Sequence, residues 1–279
     1  MRQILEFMKG YLFIVFTLIL FALSSCNKDK NNTKEVDTDL TLAKDFHKIK
    51  EEAFRIFYML EHLEQYNKVP SSAFPACASI TFDTLSTNKK IIIDFGNGCK
   101  CESIDGKSRK GKLEIEWQGN YFQENGTRTI KSTSYFVSYG SNYYQFSVDM
   151  TVSTVSYLQF LSTENITLHK STVDKITHTA SYTYKWEKGK DTYNDLYDDV
   201  IHVHGNGNGK NLDNKNYTSS IAANEAIVLD TGCKWLIKGI LYLNPENKNQ
   251  RKIDYTTCDS YANVDIQGRI YSMNFMTLD

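Results

Sequence analysis

Proline is scarce in this chain, 3 residues in 279. There is also no excess of basic charge. The net charge is −1 and the isoelectric point about 6.6, so binding to nucleic acid phosphates is excluded as a main role. No Gly-x-Ser-x-Gly elbow and no His-Glu-x-x-His pair occurs, which removes the common signatures of serine hydrolases and zinc peptidases. What fills the chain instead is aromatic, with 18 Tyr and 15 Phe. Side chains of this kind suit a pleated, half-buried surface, so the composition leans towards β structure. The length allows one large core or two modest ones.

The N-terminus reads as a targeting segment. Arg2 and Lys9 precede an apolar run from Tyr11 to Leu23, about 13 residues against the roughly 20 needed to span a bilayer. The run ends in "LSSC", which resembles a bacterial lipobox. Leu23 stands at −3, Ser24 and Ser25 are the small residues before the cut, and Cys26 is the lipid acceptor. Residues 1–25 are thus expected to be a lipoprotein signal peptide. The polar stretch 26–38 follows as a tether with too few apolar residues for a core. Asn27 stands where enterobacterial lipoproteins retained in the inner membrane carry Asp, so the resemblance implies the outer membrane, facing the periplasm or the cell surface. Lys28-Asp29 resembles half of the surface-export pattern of Bacteroidota.

Residues 39–68 carry the one clear helical period. Phe46, Ile49, Ala53, Ile56, Phe57, Leu60 and Leu63 recur at spacings of three and four, which predicts an amphipathic helix with Asp39 or Thr41 at its start. His47 and His62 fall within it and read as exposed or packing residues rather than ligands. "VPSSAFP" at 69–75 breaks the helix. Beyond it, over 75–279, the period is two. Leu113, Ile115 and Trp117 oppose Glu114 and Glu116; Tyr144, Phe146, Val148, Met150 and Val152 oppose Gln145, Ser147, Asp149 and Thr151; Ala180, Tyr182, Tyr184 and Trp186 oppose Ser181, Thr183 and Lys185. Alternation of this kind marks antiparallel sheets with one dry face. Turn signals at 84–88, 124–126, 139–142, 244–250 and 267–268 separate the runs. The expected fold is all-β. Long meandering antiparallel strands form a curved sheet, half-barrel or sandwich, preceded by the one N-terminal amphipathic helix.

Two segments share a plan: Cys77 to Cys99 and Cys233 to Cys258. Each reads cysteine, strand, polar turn, strand, Ile-Asp-aromatic, cysteine. If each is a hairpin, its cysteines meet at the open end, within reach of disulfide geometry. Cys101 is then left free, and past the inner membrane the compartment permits the bridges. A metal site at "CKC" is the rival, but no further ligands lie nearby at zinc spacing. "IIIDFGNGC", "DGKSRKGKLEIEW", "DDVIHVHGNGNGKN", "CKWLIKGILYL" and "RKIDYTTCD" together resemble a family of Bacteroidota lipoproteins of unassigned activity. The resemblance covers most of the chain from Cys77 onward. It implies a secreted all-β domain behind a lipid anchor and brings no catalytic residues. "TTC" before Asp259 departs from the glycine more usual there.

Candidate chemistry is sparse. His202 and His204 share a strand face just after Asp198 and Asp199, a pairing that can bind a transition metal. The plainer reading is a strand ending in a Gly/Asn hairpin turn at "GNGNG", with both histidines on the wet face. Glu114 and Glu116 are two carboxylates on one strand face, as glycosidases require and as any solvated strand offers. "DTL" makes Thr84 a candidate for Bacteroidota O-glycosylation, again by resemblance. No catalytic residue, cofactor or metal is assigned. The reading is a lipid-anchored envelope protein acting as a binding or structural module. Its partners would be the membrane through its anchor, and a glycan, a lipid or another envelope protein. The alternatives are a carrier holding an acyl chain or other apolar ligand in a half-barrel cavity, and a hydrolase. A carrier needs an open apolar cavity; a binding or structural module has a filled core.

Overall fold

The structure, a computed structural model, describes residues 36–64, 74–83, 89–102, 104–118, 126–192, 195 and 197–277. Residues Asp37–Asp279 form one compact unit. It opens with helix α1 (Thr41–Glu64), inside the expected span 39–68. The Asp39 carboxylate accepts from the Thr41 N–H at 2.9 Å and so satisfies a free donor at the helix start.

The strands follow in order: β1 (Ser79–Asp83), β2 (Lys89–Asp94), β3 (Cys99–Lys100), β4 (Ser108–Trp117), β5 (Thr127–Tyr139), β6 (Asn142–Ser156), β7 (Gln159–His169) and β8 (Lys175–Lys188). Then come β9 (Val200–Lys210), β10 (Asn216–Ile221), β11 (Ile227–Asp230), β12 (Leu236–Ile237), β13 (Gly239–Pro245), β14 (Arg251–Tyr255), β15 (Tyr261–Ile266) and β16 (Arg269–Asn274). All join one antiparallel sheet, mostly in chain order, from β1 through β2, β4 to β10 and β13 to β16. The small pair β11 and β12 branches from β9. This is the expected meander, and it resolves the choice left open by periodicity in favour of a single curved sheet.

The inward sets are the ones that alternation picks out. Leu113 and Ile115, Tyr144 to Val152, and Ala180 to Trp186 are buried at every second position. Side chains from β4, β5, β7, β8, β10 and β14 all touch the same helix, and a sheet can meet one rod from so many strands only by wrapping round it. Register shifts at Lys110–Lys112 and Lys131–Tyr135 mark bulges that favour such bending.

Both repeated units are hairpins closed by disulfides. Ser79 pairs with Asp94, and Cys77 bonds Cys99 with Cα atoms 5.5 Å apart. Gly239 pairs with Tyr255, and Cys233 bonds Cys258 at 5.7 Å. Cys101 is the free cysteine, and it is buried. Asp94, after the Ile of the first motif, accepts from the Gly96 N–H and holds the turn. Replacing Cys233 and Cys258 with Ala should cost roughly 3 kcal/mol, since the bridge closes a loop of 25 residues. Urea unfolding should show this as a lower midpoint, and an unchanged midpoint would count against it.

Two expectations need correction. The tether does not run free to residue 38. Asp37 accepts from Arg251 Nη2 at 2.7 Å and Asp39 from Lys248 Nζ at 2.6 Å, so the chain is pinned to β14 and the turn before it already at Asp37. The "GNGNG" stretch is not a hairpin turn. It lies within β9, paired to β8 on one side and β10 on the other. The turn comes later, at 211–215. Glycine and asparagine imitate a turn signal here because the inward positions 205, 207 and 209 have no room for a side chain. A Cβ on Gly207 would lie 2.4 Å from the His178 ring, and one on Gly209 would lie 1.8 Å from the Thr177 carbonyl oxygen.

Candidate functional site

The concentration of chemistry in this molecule is the helix and what surrounds it. The apolar stripe of α1 packs as its period requires. Phe46 meets His178 and Tyr217 edge-on, and Phe57 stacks on Tyr184 at 4.1 Å and touches Trp186. The polar stripe is buried too. Asp45, His47, Lys48, Lys50, Glu51, Glu52, Arg55 and Glu61 are each at most 1% exposed. The wet face that an amphipathic helix normally presents is absent, because the sheet encloses both stripes.

Every level of the helix carries ion pairs to the wall. Near the start, Asp45 meets Lys48 and Lys170, both at 3.2 Å. One turn on, Lys50 Nζ donates to Glu164 at 3.0 Å, and the Tyr184 hydroxyl donates to the other Glu164 oxygen at 2.7 Å. The Lys50 ammonium also lies 3.4 Å from the centre of the Tyr182 ring. Arg109, from β4, is held by two carboxylates. It donates to both oxygens of Glu52 at 3.2 and 2.9 Å and both of Asp105 at 2.9 and 2.8 Å. At the far end, Glu61 accepts from Arg128 and from Lys190, and His62 Nε2 hydrogen-bonds the Asp199 carboxylate at 3.0 Å. Asp199 also takes the Trp186 indole N–H at 2.9 Å.

Burial works against each of these charges, and the partners decide the outcome. It pushes the Lys50 ammonium down, with Glu164 opposing. It pushes the Glu52 carboxyl up more strongly than Arg109 pulls it down. At Asp105 burial also pushes upward, but Arg109, Lys107 and Arg55 outweigh it and hold the carboxyl well below its usual range. Such pairs add little net stability, because desolvation offsets most of the attraction. They do select an arrangement. Sliding the helix by one turn would leave buried charges facing apolar wall, so one depth and one rotation are chosen.

Two buried histidines, His47 on α1 and His178 on β8, are kept neutral. His47 hydrogen-bonds the Tyr255 hydroxyl at 3.1 Å and stacks on Phe275 at 4.0 Å. Burial, with Lys107 and Lys48 nearby, lowers it to about 4 despite Glu51. His178 lies between the Tyr182 and Tyr217 hydroxyls, and burial followed by Lys50 lowers it to about 3. The unfolded chain binds protons at these groups near pH 6.5 and the folded chain refuses them. Stability should therefore be full above pH 6.5 and fall on acidification, by roughly 1.4 kcal/mol per pH unit for each histidine, down to about pH 4. His47→Gln should flatten that slope by about half. An unchanged slope in a urea titration across this window would refute the assignment.

The sites expected from sequence are dispersed. His202 and His204 point outward from β9; His202 Nδ1 lies 3.8 Å from Glu187. Asp198 takes the Thr192 hydroxyl, whereas Asp199 is turned inward to His62, so the four residues do not converge. Among the described residues no group of three or more His, Cys, Asp or Glu side chains is placed to hold a metal ion. Glu114 and Glu116 lie on the outer face against Lys90, at 2.5 and 3.6 Å. Cys26 and Thr84 lie outside the described residues. A cleft of about 150 Å³ opens beside the helix start, lined by Asp39, Thr41, Asp45, Leu212, Lys248 and Arg251. It is smaller than the roughly 300–1,000 Å³ of small-molecule sites. No family model matches the chain, and neither a curated protein nor a solved structure matches it.

Sequence reasoning missed the enclosed ion pairs. The signal was present in the alternation itself: Glu164 occupies an inward position of β7 between buried Ser162 and Ile166, Arg109 shares the inward register of Leu113 and Ile115 in β4, and Arg128 that of Ile130 in β5. A carboxylate in that register needs a buried cation opposite.

Proposed function

We propose that the protein is a Bacteroidota lipoprotein, anchored to the outer membrane through Cys26, whose β unit is a binding or structural module working through its outer surface. The observation that carries this reading is the occupancy of the concave face. In a carrier, that face would hold the ligand; here it holds α1, bonded to the wall by Lys50–Glu164, Glu52–Arg109 and Glu61–Arg128. An acyl chain could enter only by expelling the helix and leaving Glu164, Arg109 and Arg128 without these partners in a dry interior, at a cost of several kcal/mol for each pair. With the concave face filled, the partners this reading assigns to the outer surface are a glycan or another envelope protein; a lipid cargo and a hydrolase activity have less support.

Native mass spectrometry of the full protein extracted from membranes tests both parts. The expected mass is that of the chain cleaved before Cys26 and carrying covalent acyl groups, with no further lipid bound. Stoichiometric non-covalent lipid would establish the carrier instead. Cys26→Ala should abolish the acyl mass and release the protein from the membrane fraction.

A further inference from the structure

The sheet has a free margin at β16. This strand ends the hydrogen-bonded path and pairs with β15 alone. The two-residue turn before it, Gln267-Gly268, has φ of 56° and 79°, the signs of a type I′ hairpin turn. In such a hairpin the flanking residues, Ile266 and Arg269, form a hydrogen-bonded pair, and bonded pairs recur at every second position. The far end agrees, because the Phe275 N–H donates to the Ser260 carbonyl at 2.7 Å. Arg269, Tyr271 and Met273 therefore bond to β15. The N–H and C=O groups of Ile270, Ser272 and Asn274 point away from the sheet, and among the described residues nothing bonds them.

β16 also lacks what usually protects an edge. It contains no Lys and no Pro, and its register with β15 runs unbroken over six pairs, without a bulge. Exposed apolar side chains collect beside it: Ile270 is 70% exposed, Met276 65% and Tyr261 47%.

We propose that two copies of the chain pair through β16, antiparallel, about a two-fold axis at Ser272. In that register Ser272 bonds its own counterpart and Ile270 of each copy bonds Asn274 of the other, so the outward backbone groups of all three residues are used. The side chains suit it. Ser272 is small and uncharged, so two fit at the axis. Ile270 comes beside the second copy's Asn274, whose amide donates to the Tyr261 hydroxyl at 3.2 Å. Met276 comes to the level of the second copy's Gly268, where an added Cβ would meet nothing within 4 Å. Arg269 is the only charge in β16 and makes no ion pair among the described residues. The axis brings it opposite the second copy's Phe275, next to the strand end that carries Asp259. The basic end of one edge thus meets the acidic end of the other, and the two Arg269 side chains stay at opposite ends. The contact is self-complementary and closes at two copies. It uses the sheet margin and does not rest on the proposed outer-surface role, so either can fail without the other.

Native mass spectrometry of the full protein extracted from membranes should show a dimer that dissociates on dilution. Ser272→Lys sets two ammonium groups side by side on the axis and leaves the β16 backbone intact. It should weaken the dimer by on the order of tenfold or more. Ser272→Pro removes an outward N–H without touching the β15 ladder and should act in the same direction; if it does not fold, the Lys variant decides. Val173→Lys, at an 80% exposed position between β7 and β8, should leave the dimer unchanged. Hydrogen exchange resolved to single amides tells edge pairing from any other contact. In concentrated wild type Ile270, Ser272 and Asn274 should be protected and should lose that protection on dilution, whereas Tyr271 and Met273 stay slow in both. A monomer at every concentration, an open assembly of more than two copies, a dimer that persists in a folded Ser272 variant, or a dimer without this alternate protection overturns the proposal.

Discussion

Arg109→Met is expected to cost the protein roughly 3–5 kcal/mol of stability. The guanidinium is fully buried and carries five hydrogen bonds, two to Glu52, two to Asp105 and one to the Tyr135 hydroxyl. Met fills a similar volume, so little packing is lost. What remains is two carboxyls without their shared cation in a dry interior. Glu52, already raised by burial, would be protonated, whereas Asp105 would keep only Lys107 and Arg55. Breaking a buried ion pair from one side costs roughly 3–5 kcal/mol, against a total of about 5–15 kcal/mol for an ordinary domain. Urea unfolding at pH 7 should show the loss. The further variant Arg109→Met/Glu52→Gln/Asp105→Asn should regain part of it, because no unpaired charge is left. A single variant within about 1 kcal/mol of wild type would mean that the cluster is wetter than its burial indicates.

Gly209→Ala is the second large effect. This glycine lies in β9 between His178 of β8 and Tyr217 of β10. The Tyr217 ring crosses above it, and its hydroxyl donates to the Thr177 carbonyl at 3.0 Å. An added methyl would sit 1.8 Å from that carbonyl oxygen and 2.8 Å from the hydroxyl. The obstacle on one side is backbone, which cannot rotate away, so the strands must separate. Overpacking against mobile side chains costs about 1–3 kcal/mol, and a backbone obstacle puts this substitution at the upper end or beyond. Asn208→Ala, one residue away and facing outward, should stay within about 0.5 kcal/mol. Equal effects at the two positions would refute the assignment of inward and outward faces.

Much of the architecture was readable because it rests on local rules. Alternation from Leu113 to Trp117 and from Tyr144 to Val152 states which side of a strand is dry, and a strand has only two sides. The cysteine pairs were readable because a hairpin turn at 246–250 fixes which residues meet at its open end. Positions 205–209 misled for a physical reason. Glycine is used both where a chain turns and where a neighbour leaves no room for a side chain, and only the neighbouring strands distinguish the two.

By itself, the sequence determined an antiparallel meander with the inward faces of the runs at 113–117, 144–152 and 180–186, the presence of one helix before it, and the pairing of four cysteines. These depend on periods of 2 and 3.6 residues and on the spacing of turns. The tertiary structure alone decided where the helix goes and what becomes of its charges. An isolated amphipathic helix predicts water on its polar side. Here Glu164, Arg109, Arg128 and Lys190 reach that side from strands and a loop 57–129 residues away in the chain. Whether a charge is solvated or paired depends on such distant partners, so no local window of sequence contains the answer.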